Sequence, residues 1–249
     1  MKTLFTLVIT LLFLSPSSYA TAPFDWSEFD RLLKQHVKAG EIDGIEANLV
    51  DYKAFKQSKS FYQIADKLAG YDPTSLETKR KLVFYINAYN YFTIKLVADN
   101  YPLESIKDLG NFLFPVWKKD VGKINGKVVS LDHIEHDVLR KLGEPGIHFA
   151  IVCASLSCPD LRAEAYNEEY LQQQISDQTR RFLQQSKGMQ IKRNGSGDEL
   201  YLSKIFQWFE SDFIAKGGVI SYLSEIDPSL KEFEEFETID YNWQVNAQP

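Results

Sequence analysis

One long apolar segment constrains the fold of this chain more than any other feature of its sequence. Apolar residues dominate positions 82–97, and Pro102 ends the segment shortly afterwards. Upstream, Thr74 and Glu77 have the spacing of a capping box, in which a hydroxyl and a carboxylate satisfy the first free amides of a helix. The sequence therefore predicts a long helix that is buried along most of its length.

The strand signals are short and come mainly in hairpins. Asn125-Gly126 lies between two short β-prone runs and suits a two-residue turn, because both turn positions need a positive φ. A second hairpin is predicted around the turn at 194–197. The segment 147–153, "IHFAIVC", is predicted to be a buried strand. The segment 44–52 is predicted to be either a short strand or an extended connection.

The remaining segments predict helices and complete the fold class. Helical spacing, caps and stop residues predict helices over residues 24–37, 60–70, 131–142, 167–183, 207–216 and 219–226. There is no internal repeat, linker or low-complexity tract. We predict an α+β fold, a helix-rich single domain with a small antiparallel sheet and hairpins.

The N-terminal 20 residues have the pattern of a secretory signal peptide. Lys2 is followed by an apolar stretch from Leu4 to Leu14, and Ser18 and Ala20 occupy the two positions that govern cleavage. The alternative is an uncleaved anchor, but an apolar core of about 11 residues is shorter than the ~20 that cross a bilayer. We predict a signal peptide at 1–20, a periplasmic or secreted location, and a mature chain without a transmembrane segment.

Residues 21–249 are predicted to form one domain, because this length suits a single sizeable core. The chain carries a net charge of −6 at pH 7, and its basic residues occur in short groups flanked by acidic or apolar residues. An acidic chain offers no electrostatic attraction to phosphate backbones, so a nucleic-acid partner is not expected.

Two asparagines interrupt the long apolar helix. Asn87 and Asn90 are three residues apart and therefore share one face of the helix. An unpaired buried amide costs about 1–3 kcal/mol, so both side chains need partners. Either they tie the helix to the backbone of a neighbouring loop, or they contact a ligand or a reacting group.

The segment "SLDHIEHDVLR" holds two of the four histidines. On a regular helix Asp132, His136 and Arg140 follow one another on one side, as a surface ladder of charges would. Alternatively, His136 or Glu135 turns into a cleft. His133 and His136 are three apart, as two metal ligands can be, but the spacing matches neither known zinc-protease motif.

Both cysteines lie in the stretch "GIHFAIVCASLSCPD". Cys153 is placed at the end of the predicted strand, where loops commonly form sites, and Cys158 follows in the loop. The intervening small residues form a compact turn whose amides could line an oxyanion. His148 lies on the opposite face of a regular strand from Cys153, so His136 is the better candidate base.

Five segments together resemble one family. "FYINAYN", "SLDHIEHDVLR", "IHFAIVCASLSCPDLR", "LSKIFQWFESDF" and "DYNWQVN" occur in this order over roughly residues 50–246, and they resemble the DUF547 family of uncharacterised proteins. One departure is Phe84-Tyr85, where the family pattern has Phe-Trp. The resemblance implies a single family domain, found in many exported bacterial proteins, and no established reaction, so no catalytic role is carried over.

The first functional hypothesis is a periplasmic binding or envelope-associated module. In an oxidising compartment two cysteines favour a disulfide, here between Cys153 and Cys158, provided that the loop brings their Cα atoms within about 7 Å. The partner would be a small molecule, a peptide or an envelope protein. No cofactor is predicted.

The alternative hypothesis is a cysteine-dependent hydrolase or acyl-transfer enzyme. Cys153 would be the nucleophile and His136 the base, with Glu135, Asn87 or Asn90 orienting the imidazole. This hypothesis predicts that all five side chains surround one cleft. A metal-dependent hydrolase with cysteine, histidine and glutamate ligands is the second alternative.

Overall fold

The computed structural model describes residues 22–195 and 197–249, and the predicted signal peptide lies outside them. The helices are α1 (Ser27–His36), α2 (Tyr52–Gln57), α3 (Lys59–Gly70), α4 (Thr78–Asn100), α5 (Ile147–Ala150), α6 (Leu171–Gln184), α7 (Lys204–Trp208), α8 (Glu210–Phe213) and α9 (Val219–Ser224). A π-helix spans His133–Leu139. Short 3-10 helices span Ile106–Leu109, Val116–Lys118, Arg140–Leu142, Ile214–Lys216 and Pro228–Glu232. The predicted helix-rich α+β class is confirmed.

Helix α4 is the buried centre of the fold, as its composition predicts. Its side chains are buried almost continuously from Leu82 to Ala98, because α2, β3 and the π-helix pack against it. Phe29 of α1 and Phe61 of α3 also pack against Tyr91. The predicted capping box does not form: the helix begins at Thr78, and Glu77 at the N-cap makes no side-chain cap. Packing around the helix, rather than a cap, therefore accounts for its stability.

The strands form three small sheets. β1 (Val37–Ile42) and β2 (Ile45–Val50) are antiparallel, as are β3 (Asp120–Ile124) with β4 (Lys127–Ser130) and β5 (Met189–Asn194) with β6 (Gly197–Ser203). Asn125 and Gly126 have φ of 49° and 71°, so the predicted turn of the middle hairpin is confirmed. β7 (Glu237–Ile239) adds a parallel strand to β6, which the tail sequence did not predict.

The segment 147–153 is not a strand, and this prediction was wrong. Residues Ile147–Ala150 form α5, and only Ile151 onward is extended. The Asn90 side chain bonds the backbone here, where a strand would bond a neighbouring strand. It donates to the Ala150 carbonyl and accepts from the Val152 amide. A short apolar run buried on all sides has no periodicity that separates helix from strand.

Two apolar cores meet next to this segment. The larger core surrounds α4, and the smaller one collects aromatic side chains of α5–α9, including Phe149, Phe206 and Phe213. Ile151 and Val152 belong to the larger core, while Phe149, two residues earlier, belongs to the smaller. The residues that follow α5 therefore emerge at the junction of the two cores.

Candidate functional site: a thiol in an aromatic pocket

A pocket of about 140 Å³ opens at this junction. It is lined by Tyr89, Trp117, Glu135, His136, His148, Ile151, Val152, Cys153, Cys158, Ile205, Trp208, Phe209, Tyr241 and Trp243. A wider groove of about 740 Å³ runs beside α1 and residues 164–170, but neither cysteine nor histidine lines it. The smaller pocket is therefore the better candidate for a site of chemistry.

One wall of the pocket is a thiol cluster, which consists of Cys153, Ser155, Cys158 and Tyr241. The Cys153 Sγ lies 3.0 Å from the Ser155 Oγ and 3.1 Å from the Tyr241 Oη. The two hydroxyl oxygens are themselves 3.3 Å apart. The Cys153 amide donates to the Cys158 Sγ over 2.9 Å. Hydroxyl groups from the adjacent loop and from the C-terminal segment thus contact the Cys153 sulfur.

Burial and these hydrogen bonds change the acidity of both thiols. Burial alone raises the pKa of Cys153, but hydrogen bonds from Cys158, Ser155 and Tyr241 and from the Ser155 amide outweigh it, and the pKa falls to about 7. Burial raises the pKa of Cys158 well above its usual value. Of the two thiols, Cys153 is therefore the one that ionises near neutral pH.

Both cysteines are free thiols in the structure, so the predicted disulfide is not formed there. Cys158 is buried and Cys153 is half-buried. A free thiol at Cys153 keeps the sulfur available as a nucleophile, because the thiolate is the attacking form and a sulfur bonded in a disulfide cannot ionise to it.

The backbone that carries Cys153 is strained and firmly held. Ala154, the next residue, has a φ of 58°, a left-handed conformation that a side chain with a Cβ seldom adopts. The C-terminal segment holds the loop in this shape: the Leu156 amide donates to the Gln244 carbonyl, and the Asn246 amide donates to the Ala154 carbonyl. Strain of this kind persists only where the surroundings enforce it, and it clusters at functional sites.

Glu135 is the acidic group of the pocket. It lies on the π-helix, and its Oε2 accepts a hydrogen bond of 3.1 Å from the Tyr89 hydroxyl. Desolvation raises the pKa of Glu135 to about 7, and the negative charge of Cys153 contributes to the increase. The carboxyl group therefore exchanges a proton near neutral pH, which suits a general acid or base.

A second wall comes from a histidine cluster, which consists of His136, Arg140, His148 and Asp212 and contributes the two histidines to the pocket lining. The Arg140 guanidinium holds Asp212 through two hydrogen bonds of 2.6 Å. Its third contact is to the His136 Nδ1 at 2.9 Å, and Asp132 lies 3.8 Å from the other nitrogen of His136. The predicted ladder of Asp132, His136 and Arg140 is present, and it extends to Asp212.

These contacts argue against His136 as the base for Cys153. A guanidinium has only donors, so the His136 Nδ1 must accept the hydrogen bond from Arg140. In the neutral ring the proton then lies on Nε2, and no lone pair is left to take a proton from a thiol. Both His136 and Cys153 line the pocket, but no hydrogen bond joins them among the described residues.

His148 lies in the same pocket as Cys153, contrary to the sequence-based placement on the opposite face. That placement assumed a strand, and α5 turns the ring toward Phe209, on which it stacks with a centroid distance of 4.0 Å. The His148 Nε2 is 2.8 Å from Asp212. Desolvation lowers the pKa of His148 to about 4, so the ring is neutral. Its Nδ1 is buried and has no partner among the described residues.

The two asparagines tie α4 to the backbone of neighbouring segments, which is the first of the two alternatives that the sequence left open. Asn87 donates to the Tyr166 carbonyl and accepts from the Tyr166 amide. Asn90 makes the same pair of bonds to Ala150 and Val152, next to Cys153. Neither lines the pocket, so of the five side chains predicted to surround one cleft, the structure brings together Glu135, His136 and Cys153.

The sequence-based reasoning missed Ser155, Tyr241 and Asp212 as parts of the site. Tyr241 and Asp212 lie 88 and 59 positions after Cys153 in the numbering, in segments whose only signal was the resemblance itself. Ser155 was noted only as a small turn residue.

No group of three or more histidine, cysteine, aspartate and glutamate side chains in the described parts of the chain is arranged to hold a metal ion. Within the same residues, no helix is long and apolar enough to cross a membrane.

Comparison with known proteins supports the family assignment. Residues 73–183 match the family described as "Protein of unknown function, DUF547". No curated protein and no solved structure matches the chain. The match contains Asn87, Asn90, the π-helix and both cysteines, and it is shorter than the range of roughly 50–246 expected from the motifs. Asp212 and Tyr241 lie outside it.

Proposed function

We propose that the protein is a cysteine-dependent acyl-transfer enzyme or hydrolase with Cys153 as the nucleophile. The observation that carries the proposal is the set of donors around the Cys153 Sγ, from the Ser155 and Tyr241 hydroxyls and the Cys158 thiol. These donors favour a thiolate at neutral pH, and the thiolate is the attacking form of cysteine. The strained Ala154 backbone supports the same assignment.

The groups in the pocket suffice for an acyl transfer. The Cys153 thiolate attacks a carbonyl carbon, and the electron pair of the carbonyl bond moves to its oxygen. The Ser155 and Tyr241 hydroxyls, no longer needed by the sulfur once the S–C bond forms, then donate to the oxyanion. Protonated Glu135 gives its proton to the leaving group as the carbonyl reforms, which leaves an acyl thioester on Cys153 and a carboxylate at Glu135.

The same carboxylate completes the cycle. Glu135 takes a proton from water or from an acceptor alcohol or amine, which attacks the thioester. The sulfur leaves as the thiolate that its donors stabilise, so the starting state is restored. Glu135 replaces His136 as the base in this proposal, because the acceptor nitrogen of His136 is occupied by Arg140.

The experiment is to trap the acyl-enzyme. Purified protein is mixed with p-nitrophenyl acetate, quenched in acid, and analysed by intact mass and peptide mapping. We expect one acetyl group on Cys153, with a rate that rises with pH as the thiolate forms around pH 7. Cys158→Ser is the matched control and should still be acylated. Acetylation spread over lysines, or equal in Cys153→Ser, would contradict the proposal.

A second candidate is the binding module with a Cys153–Cys158 disulfide. The hydrogen bond from the Cys158 thiol to the Cys153 sulfur supports it, because it brings the two sulfur atoms together. Intact mass without reductant separates the two candidates: a disulfide lowers the mass by two hydrogens and blocks alkylation. Equal losses of melting temperature in Cys153→Ser, Cys158→Ser and the double variant would also favour the disulfide.

We also propose export to the periplasm or secretion, on the signal-peptide pattern of residues 1–20. Intact mass of the exported protein should show Thr21 as its first residue. Retention of residues 1–20 on that protein would contradict this proposal.

A further inference from the structure

Cys158 has no role in the proposed acyl transfer, yet its sulfur lies against Cys153. The Cys153 amide donates to the Cys158 Sγ over 2.9 Å, and a hydrogen bond also joins the two thiols. The Cys158 amide donates to the Ser155 carbonyl over 3.1 Å, so the turn from Ser155 to Cys158 folds the chain back onto Cys153. Both cysteines line the pocket. The site therefore contains a pair of thiols in contact.

The two thiols differ in their access to solvent. Cys153 is half-buried, whereas Cys158 is only 5% exposed. A reagent that enters the pocket therefore reaches the Cys153 sulfur first, and Cys158 reaches only what is bound to that sulfur. An accessible thiolate beside a second thiol is the arrangement in which a cysteine oxidised to the sulfenic acid condenses to a disulfide.

The size and lining of the pocket limit what it can bind. Its volume of about 140 Å³ is close to that of an apolar cavity of about 150 Å³ that binds benzene. Trp117, Trp208 and Trp243 supply much of an aromatic wall, and no lysine or arginine is among the described residues that line the pocket. A small uncharged apolar group with a polar reactive end therefore fits it best.

We propose that the site also reduces small organic hydroperoxides, with Cys153 as the attacking thiol and Cys158 as the resolving thiol. The alkyl group of the hydroperoxide contacts the aromatic wall, and its O–O bond lies at the Cys153 Sγ. The Ser155 and Tyr241 hydroxyls, which contact this sulfur at 3.0 and 3.1 Å, donate to the oxygen that leaves. This activity shares Cys153 with the proposed acyl transfer but does not depend on it.

The first step oxidises Cys153. The thiolate attacks the terminal oxygen of the hydroperoxide, so that an S–O bond forms and the O–O bond breaks. The electron pair of the O–O bond leaves with the alkoxide, which takes a proton from protonated Glu135 and departs as an alcohol. Cys153 is left as a sulfenic acid.

The second step forms the disulfide. Burial raises the pKa of Cys158, and the hydrogen bond to Cys153 and the negative charge of Cys153 add to the increase. Oxidation removes this charge, so Cys158 loses its proton more readily. Its sulfur attacks the Cys153 sulfur, the S–O bond breaks, and the oxygen leaves as water with the Cys158 proton.

The third step restores the two thiols. An external dithiol reduces the disulfide by thiol–disulfide exchange and becomes a disulfide itself. Of its two protons, one returns to Cys158 and the other to Glu135, and Cys153 is again a thiolate. The net reaction converts a hydroperoxide and a dithiol into an alcohol, water and a disulfide.

The test measures hydroperoxide consumption by the purified protein, with tert-butyl hydroperoxide as the substrate and dithiothreitol as the dithiol. We expect many turnovers per protein molecule. Without dithiothreitol, one equivalent should be consumed and the intact mass should fall by two hydrogens. The ratio of the rate with tert-butyl hydroperoxide to the rate with hydrogen peroxide should exceed the ratio for free cysteine by about tenfold or more, because only the pocket binds the alkyl group.

Cysteine variants separate the two thiols. Cys158→Ser should keep the first step and lose the second, so dimedone should label Cys153 as the sulfenic acid, and peptide mapping locates the label. Cys158→Ala gives the same test if the serine variant does not fold. Cys153→Ser should consume no hydroperoxide above the background reaction of dithiothreitol.

The aromatic wall has a matched control. Trp208 lines the pocket and is 45% exposed, while Tyr170 is 49% exposed and does not line it. Trp208→Ala should lower the preference for tert-butyl hydroperoxide over hydrogen peroxide, because part of the wall that contacts the alkyl group is lost. Tyr170→Ala should leave this preference unchanged.

Three results would overturn the proposal. These are hydroperoxide consumption no faster than that of free cysteine, a disulfide that dithiothreitol does not reduce, and the absence of a dimedone label on Cys153 in both Cys158 variants. The second result would assign the pair to a structural disulfide instead. Acetylation of Cys153 by p-nitrophenyl acetate is measured separately, so the loss of one activity without the other is visible.

Discussion

The two walls of the pocket use polar residues in opposite ways. In the histidine cluster, Arg140 and Asp212 engage each other and one nitrogen of each histidine, so His136 has its acceptor occupied. In the thiol cluster two hydroxyl groups contact one atom, the Cys153 Sγ, and these hydrogen bonds lower the pKa of the Cys153 thiol. In the histidine cluster the charges of Arg140 and Asp212 neutralise each other. In the thiol cluster the hydrogen bonds favour a negative charge on Cys153, which lines the pocket.

Residue type alone does not say whether a side chain is free to accept or release a proton. Histidine is the commonest general base, yet the Nδ1 of His136 accepts a hydrogen bond from the Arg140 guanidinium. Glu135, usually ionised at pH 7, exchanges its proton near that pH because the pocket desolvates it. What decides reactivity is whether the lone pair or the proton has another partner.

The largest expected effect separates the two walls directly. Cys153→Ser should lower the rate of acyl transfer by about 10³-fold or more, because the hydroxyl is a far weaker nucleophile at neutral pH. His136→Gln should change that rate by less than about threefold. Release of p-nitrophenol under steady-state conditions measures both. A larger loss in His136→Gln would place the histidine in the catalytic machinery and break the comparison.

Asp212 tests whether the histidine cluster is structural. Asp212→Asn removes the charge that Arg140 and buried His148 share, and we expect a loss of about 3 kcal/mol in the free energy of unfolding. Asp132→Asn, with its longer 3.8 Å contact to His136, should cost less than about 0.5 kcal/mol. Urea unfolding at pH 7 measures these values. A shift in the pH midpoint of Cys153 alkylation in Asp212→Asn would show that the two walls are coupled.

Asn87 and Asn90 provide a matched pair in one helix. Each substitution by alanine strips partners from two buried backbone groups, so each should cost about 2 kcal/mol of unfolding free energy. Only Asn90→Ala releases the segment that leads to Cys153, and only this variant should slow the alkylation of Cys153 by iodoacetamide. Equal alkylation rates in the two variants would show that the Cys153 loop is held without Asn90.

The smallest expected effects are two opposite shifts in the pKa of Cys153. Tyr241→Phe removes a donor to the thiolate, so the midpoint of alkylation against pH should rise from about 7. Glu135→Gln removes a negative charge that opposes the thiolate, so the midpoint should fall. Each shift should be less than about one pH unit. Tyr62→Phe, at a surface contact with Asp99, is the control and should not shift the midpoint.

Several features followed from local sequence because local forces decide them. A few neighbouring residues are enough to predict the Asn125-Gly126 turn and the buried length of α4. They also predict that Asn87 needs buried partners. The α5 segment could not be predicted in this way. It is buried on all sides, so its composition does not separate helix from strand, and its last carbonyl bonds to Asn90, a residue 60 positions earlier than Ala150.

The sequence by itself determined the helix-rich α+β class, the family resemblance, and the presence of Cys153, His136 and Glu135 near one another in the fold. Only the tertiary structure decided which polar atoms surround each of these side chains. The pKa of Cys153 depends on Tyr241, 88 residues away, and the role of His136 depends on a guanidinium that Asp212 holds in place. Acidity and nucleophilicity are set by the few atoms within hydrogen-bonding distance, and in this pocket the chain supplies those atoms from distant segments.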